Sequence, residues 1–437
     1  MKKLKLFNVA WPIFVETALF MTLGFVDVFI LSSYNDLAAS AVNTANQSVS
    51  IVTIVFTVIS GASAVLISQY LGAKKKESAS RIAAISILFN LIFGIIISVL
   101  LVIFSGDILS FIGAEGELLT LAGDYLSIVG GCLFFQALLS SMAVIVRNHG
   151  LTSISMFVTV GMNIINTGLD ILLVPKMGVT GVALATSFSR ILGTIVLAII
   201  LFVKIENIKI FKLLKPFPFK DIKDIIKVGV PSALETFLYN VSQLVITSMV
   251  LVYLSESELI AKTYVQNITM FFYIFAVSIG QASQIITGHL VGANKMDEAY
   301  KGGLKAYRNA LIITAVSCVL GVFFREPLIS IFSDNPEVIE LGTGLLLLNC
   351  ALEFGRTSNL VLIATLRGAG DVYFPTSCAI FSMWAVSVFG SYLFAVVFEM
   401  GIYGLWIALA ADEILRGVLM FIRFKGGKWK TKRIVKN

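Results

Sequence analysis

Charge is scarce in this chain, and so are the residues from which metal centres and hydrolytic sites are built. Lys, Arg, Asp and Glu make up 14% of 437 residues, and histidine occurs twice, at His149 and His289. A soluble domain carries nearer a quarter charged residues. The two histidines fall at predicted helix ends, too few and too dispersed for a zinc site or a histidine-based catalytic centre. The four cysteines, Cys132, Cys318, Cys350 and Cys378, all lie inside apolar stretches without metal-ligand spacing, so they read as small core residues. No Walker motif occurs, and Gly368-Ala-Gly-Asp371 is too short and badly placed to cradle phosphates. No cleaved signal peptide is expected: Met1-Lys-Lys-Leu-Lys-Leu leads into an apolar stretch too long for an h-region, with no small-residue cleavage site.

What the chain has is apolar length. Hydrophobic residues reach 57%, mean hydropathy is +0.93, and runs long enough to cross a bilayer recur from end to end. Predicted spans fall at 8–33, 45–70, 82–104, 120–146, 153–175, 179–203, 224–253, 263–290, 304–324, 339–366, 373–398 and 401–423. Between them, 27 of the 33 basic residues land on one side: the start of the chain, Lys74 to Arg81, Arg147, Lys204 to Lys227, Lys295 to Arg308, Arg367 and the tail. The other side receives Lys176, Lys262 and Arg325, with acidic loops at Glu115, Glu117 and Asp124 and at Glu326, Asp334, Glu337 and Glu340. This asymmetry predicts both termini on the cytoplasmic side of a cell inner (plasma) membrane. The net charge of +7 is thereby a mark of membrane orientation, and no nucleic-acid partner is expected.

The sequence also repeats at a shift of about 220 residues. Pro12-x-x-x-Glu16 matches Pro231-x-x-x-Glu235, and Gln69-Tyr-Leu-Gly72-Ala73 matches His289-Leu-Val-Gly292-Ala293. Arg147-Asn-His-Gly150 matches Arg367-Gly-Ala-Gly370, and Gly178-x-x-Gly181 matches Gly401-x-x-Gly404 with three residues inserted. The expected fold is therefore all-α and integral to the membrane: twelve transmembrane helices as two pseudo-symmetric six-helix bundles around a central cleft. Parallel repeats of this kind suit alternating access. The expected boundaries are a first bundle at 1–203, a basic linker at 204–223, a second bundle at 224–424 and a basic tail at 425–437.

An ionisable side chain at bilayer depth costs about 2.5–3.5 kcal/mol on insertion scales, so each one calls for a reason. Asp27 lies mid-helix with no basic residue one turn away. Asn163, Asn166 and Asp170, spaced three and four apart, share a helix face. Two carboxylates with amide partners can hold a proton, or a sodium ion through hard oxygen ligands at Asp27, Asn166 and Asp170; they can equally be a polar cluster that glues helices together. Glu16 and Glu235 each follow a proline by four residues, and serve either coupling or the polar organisation of a kink. Glu353 and Arg356, three apart, read as an internal ion pair that lines the cleft or merely neutralises itself. Asp412, Glu413 and Arg416 form a similar group, while Arg190 is locally unpaired.

These residues resemble the multidrug and toxic compound extrusion (MATE) family over nearly the whole chain. The resemblance rests on Pro12 with Gly-Phe-Val-Asp27, Gln69-Tyr-Leu-Gly-Ala-Lys, Asn166-x-x-x-Asp170, Gly181-Val-Ala-Leu-Ala-Thr186, Gly229-Val-Pro-Ser-Ala-Leu-Glu235 and Leu366-Arg-Gly-Ala-Gly-Asp371-x-x-x-Pro375. It implies a secondary transporter, not an enzyme, that exchanges Na+ or H+ for lipophilic, often cationic drugs without a cofactor, working as a monomer among membrane lipids. In the DinF-like branch the cation site maps to Asp27, Asp170 and Asn166, with Thr186 as the nearest match to a helix 6 hydroxyl. The NorM-like branch also uses acidic residues of helices 7 and 10. Here Glu235 stands one turn before that branch's helix 7 position, which is held by Tyr239, and Glu353 stands at another depth. A lipid or lipid-linked oligosaccharide flippase of the same superfamily is the nearest alternative. A membrane-embedded enzyme is the alternative from another class.

Overall fold

The computed structural model describes residues 4–205 and 218–435. Its described residues are helical almost throughout, as such apolar lengths require where no water can satisfy backbone groups. The chain divides into two compact units, Met1–Gly229 and Val230–Asn437. Most of the basic segment 204–223 falls at 206–217, outside the described residues, as do Lys2, Lys3 and Lys436.

The first unit contains α1 (Leu6–Ser32), α2 (Asp36–Gly72), α3 (Lys76–Ile103), the short α4 (Ser105–Phe111), α5 (Gly116–Gly131), α6 (Leu133–Asn148), α7 (Thr152–Met177) and α8 (Val179–Lys204). The helix α9 (Phe219–Tyr253) begins at the end of this unit and continues into the second. The second unit adds α10 (Glu256–Gly292), α11 (Met296–Phe323), the short α12 (Arg325–Ser330), α13 (Pro336–Ala369), α14 (Tyr373–Ser382) and α15 (Gly401–Lys425). Past Ser382 the α14 helix widens into π-helical turns at Met383–Val388 and Tyr392–Val397.

Ten helices among the described residues are long and apolar enough to cross a membrane. The α5–α6 pair makes an eleventh when its two halves are taken as one crossing. The sequence suggests one continuous span at 120–146, but the helix bends there by 46°. Gly130 and Gly131 sit at the bend, and a Cβ on them would come within 3.0 Å of Leu101 and 3.2 Å of Val102 on α3. Just past the break, the Phe134 N–H donates to Ser98 Oγ on α3 at 3.1 Å, which satisfies a backbone donor freed by the interruption. The twelfth expected span is α15. Apolarity alone does not select it, because every 18-residue stretch of it contains Asp412, Glu413 and Arg416.

The repeat seen in the sequence is also a repeat of backbone geometry. Lys74 and Asn294, 220 positions apart, both adopt φ of 60° in the turns after α2 and α10. Gly150 and Gly370 (φ 80° and 96°), and Gly178 and Gly401 (φ 54° and 57°), pair in the same way. At Gly181 a Cβ would lie 2.8 Å from the Leu173 carbonyl carbon, and at Gly404 it would lie 2.6 Å from that of Phe394. Each glycine lets a helix pass against the backbone just before it. Each unit has its own apolar core, around Phe56, Leu126 and Leu133 in the first and around Leu345, Leu352 and Trp406 in the second.

Candidate functional site

In the first unit α7 packs against α1 and α8, and the polar face of α7 is turned inward. Asp27 from α1 is 2% exposed, while Asp170 and Asn166 from α7 are fully buried. The two carboxyl groups interact directly with each other. With the Asn166 amide oriented to suit its neighbours, its nitrogen donates to Asp27 Oδ1 at 3.0 Å and its oxygen accepts from the Thr186 backbone N–H at 3.3 Å. The Thr186 hydroxyl, on α8, donates to Asp27 Oδ2 at 3.5 Å. Four of the five residues expected at this site therefore meet. Asn163 does not join them: its amide donates back to the Thr159 carbonyl of its own helix at 2.8 Å.

Three neighbours complete the cluster. The Tyr125 hydroxyl on α5, 1% exposed, donates to Asn46 Oδ1 of α2 at 3.1 Å and lies beside Thr186. Arg190, one turn beyond Thr186 on α8, acts on Asp27 electrostatically, yet forms no ion pair with it within 4.0 Å. Its Nη1 is buried without a hydrogen-bond partner, and the same holds for Asp170 Oδ1. Tyr125 and Asn46 carry no sequence signal that separates them from ordinary packing residues; Arg190 does, as a cation alone in an apolar helix. With every group ionised, two carboxylates face one guanidinium, which leaves one uncompensated negative charge in a buried site. The orphaned Asp170 oxygen, beside the Asp27 carboxyl and the Thr186 hydroxyl, gives the site hard oxygen atoms that suit a proton or a hard monovalent cation.

The second unit buries a larger network. Glu353 on α13 is fully buried; its Oε1 accepts from Arg356 Nη1 at 2.7 Å and from Asn349 Nδ2 at 3.4 Å, while its Oε2 has no partner. Arg356 also reaches Glu413 of α15 at 3.9 Å and lies over the Tyr273 ring, 5.2 Å from its centroid. Arg416 pairs with Asp412 at 2.6 Å and with Glu413 at 3.1 Å. The Asn359 amide donates to Glu413 at 2.9 Å, and Ser382 to Asp412 at 2.5 Å. Tyr239 of α9 senses Arg356, Glu413 and Arg416 electrostatically. The two self-compensating groups read from the sequence thus form one network, and its three carboxylates again exceed its guanidiniums by one.

Glu16 and Glu235 lie elsewhere, at matching places in the repeat. Arg147 donates to Glu16 Oε1 at 2.7 Å, joining α6 to α1. Arg367 donates to Glu235 Oε2 at 2.5 Å, joining α13 to α9, and Thr376 donates to the same oxygen at 2.8 Å. Each pair ties the segment one turn past an in-helix proline, Pro12 or Pro231, to the last turn of a neighbouring helix.

Known proteins resemble this chain over nearly its full length. The MatE family model matches twice, over residues 12–172 and 231–393. The chain belongs to the MatE family of transporters. It is 35% identical to the uncharacterized transporter YisQ of Bacillus subtilis (strain 168), over 99% of this chain and 96% of that one. It is 26% identical to the protein named "probable multidrug resistance protein NorM" of Thermotoga maritima, over 99% of this chain and 94% of that one. A crystal structure of MATE in the bent conformation superposes with a TM-score of 0.89 at 20% identity, covering 97% of this chain and 95% of that one. The two-lobed, twelve-helix MATE fold expected from the sequence is therefore the fold of this MatE transporter.

Proposed function

We propose that this MatE transporter is a secondary active multidrug efflux antiporter. It exchanges H+ or Na+ for lipophilic, often cationic small molecules by alternating access, as a monomer in the plasma membrane with both termini in the cytoplasm. The observation that carries this reading is the pair of buried, facing carboxyls, Asp27 and Asp170, with one Asp170 oxygen left without a donor. Relatives along nearly the full length of the chain bear the name "probable multidrug resistance protein NorM".

The chemistry follows from charge. A single negative charge held in a buried cluster attracts one small cation strongly, because burial there costs several kcal/mol unless the charge is balanced. Asp27 and Asp170 hold the coupling ion; Asn166 and Thr186 fix Asp27 with hydrogen bonds; Arg190 limits the surplus to one charge. When the ion leaves toward the side of low concentration, the bare charge favours the conformation that admits its replacement, and cargo makes the return journey. Such coupling requires the ion to bind the two conformations with different affinity. We place cargo contacts in the second unit, where Glu353, Arg356 and Tyr239 combine charge with aromatic surface. Glu16 and Glu235, each held by its own arginine, serve as fixed ties.

Purified transporter in ethidium-loaded vesicles tests the reading. Ethidium countertransport is expected to accelerate several-fold under an imposed inward H+ or Na+ gradient. Transport at the same rate with and without both gradients would exclude antiport.

A further inference from the structure

A groove of about 400 Å³ runs between α7 and α8 on the first unit. Its walls are Ile154, Phe157 and Ile165 of α7 and Leu192, Val196 and Ile200 of α8, and Lys204 stands at one end. Phe157, Val196 and Lys204 are exposed, so the groove opens to the surface of the first unit. From Ile154 to Ile165 it extends about 16 Å along α7, and from Leu192 to Lys204 about 18 Å along α8. One leaflet of a bilayer is about 15 Å of hydrocarbon deep. The groove therefore begins at Lys204, at the end of α8, and after about the depth of one leaflet stops one residue short of Asn166 and two short of Arg190.

We propose that this groove holds one acyl chain of an anionic glycerophospholipid from the leaflet on the basic side, with Lys204 on its phosphate. Three observations select this occupant. The lining is apolar along the depth of one leaflet and ends in a lysine that forms no ion pair among the described residues. A lysine at the mouth favours an anionic headgroup and opposes the lipophilic cations proposed as cargo. The groove is built as a groove: a Cβ at Gly193 would collide with Met162 Sδ at 2.1 Å, so Met162 lies down in the notch of Gly193, and a Cβ at Gly161 would meet nothing within 4 Å. The lipid thus fills space between the two helices that carry Asp170, Asn166 and Thr186. This inference does not depend on the identity of the coupling ion.

The test is native mass spectrometry of the full-length detergent-solubilised protein with palmitoyl-oleoyl phosphatidylglycerol or the matching phosphatidylcholine. The wild type is expected to retain one phosphatidylglycerol in preference to phosphatidylcholine. Lys204→Gln lowers that preference about fivefold, the factor that corresponds to one lysine near an anionic surface. Gly161→Leu fills the groove and lowers retention of both lipids about tenfold, with thermal stability no lower than the wild type's, because the new Cβ meets nothing within 4 Å and leucine is a better helix former than glycine. Equal retention of the two lipids by the wild type, or undiminished retention by Gly161→Leu, overturns the proposal. Displacement of the bound lipid by ethidium at transport concentrations would make the groove a cargo site, and overturns it equally.

Discussion

At the scale of single residues, the account turns on charges that are one short of balance. In the first unit Arg190 offsets one of two aspartates without touching Asp27. Replacing it with glutamine leaves both carboxylates uncompensated, so cation binding should strengthen. The half-saturating cation concentration for ethidium countertransport is expected to fall about tenfold in Arg190→Gln, the equivalent of about 1.4 kcal/mol. In the second unit the prediction concerns stability. Glu353→Gln brings the network to two carboxylates and two guanidiniums, and thermal unfolding in detergent should change by less than about 1 kcal/mol. Arg356→Met strands Glu353, which is fully buried, and should cost about 3 kcal/mol or more. Much of this was legible beforehand, because a charge in an apolar run stands out. What was hidden is who meets whom. Glu353 and Glu413 share Arg356 although they lie 60 positions apart, and Tyr125 and Thr186 converge on Asp27 from separate helices. Asn163 shows the opposite limit: helical spacing puts it on the face of Asn166 and Asp170, but an amide one turn before them satisfies itself on its own backbone.

At the scale of elements, the repeat makes paired predictions. Glu16–Arg147 and Glu235–Arg367 are equivalent ties, part-buried in both units. Glu16→Gln and Glu235→Gln should each lower unfolding stability by about 1.5 kcal/mol, the worth of a hydrogen bond to a charged group. Gly181→Ala and Gly404→Ala should each cost about 1–3 kcal/mol by overpacking, because the new methyl would press on backbone atoms that cannot turn aside. Differential scanning fluorimetry on the four variants checks both pairs, and a large asymmetry within a pair would contradict the equivalence. Helix number was readable because hydropathy and loop charge report on crossing the membrane, but hydropathy misses the polar first turns: α2 begins at Asp36 and α11 at Met296, nine and eight residues before the expected spans. The break at Cys132 was not readable, since no proline or charge marks it in the sequence and the bend lies where Gly130 and Gly131 meet α3. The opposite case is α15. Its three charges hide it from a measure of apolarity, and pairing among themselves and with Arg356 is what allows it to be buried.

At the scale of the whole molecule, the buried cluster of each unit holds one more carboxyl than guanidinium. In the second every carboxyl has an arginine within 4.0 Å, whereas in the first Asp27 and Asp170 face each other with no ion pair to either among the described residues. That asymmetry is why coupling is assigned to Asp27 and Asp170 and cargo to the second unit. The most direct test compares the wild type with Asp27→Asn, a near-isosteric change that removes one negative charge and keeps one acceptor oxygen, for the Asn166 amide or the Thr186 hydroxyl. Ethidium flux in vesicles is measured with and without imposed H+ and Na+ gradients, alongside ethidium binding to the purified proteins. The account predicts that Asp27→Asn folds and binds ethidium within about twofold of the wild type, while its flux no longer responds to either gradient. Gradient-driven flux at the wild-type level in Asp27→Asn would contradict it.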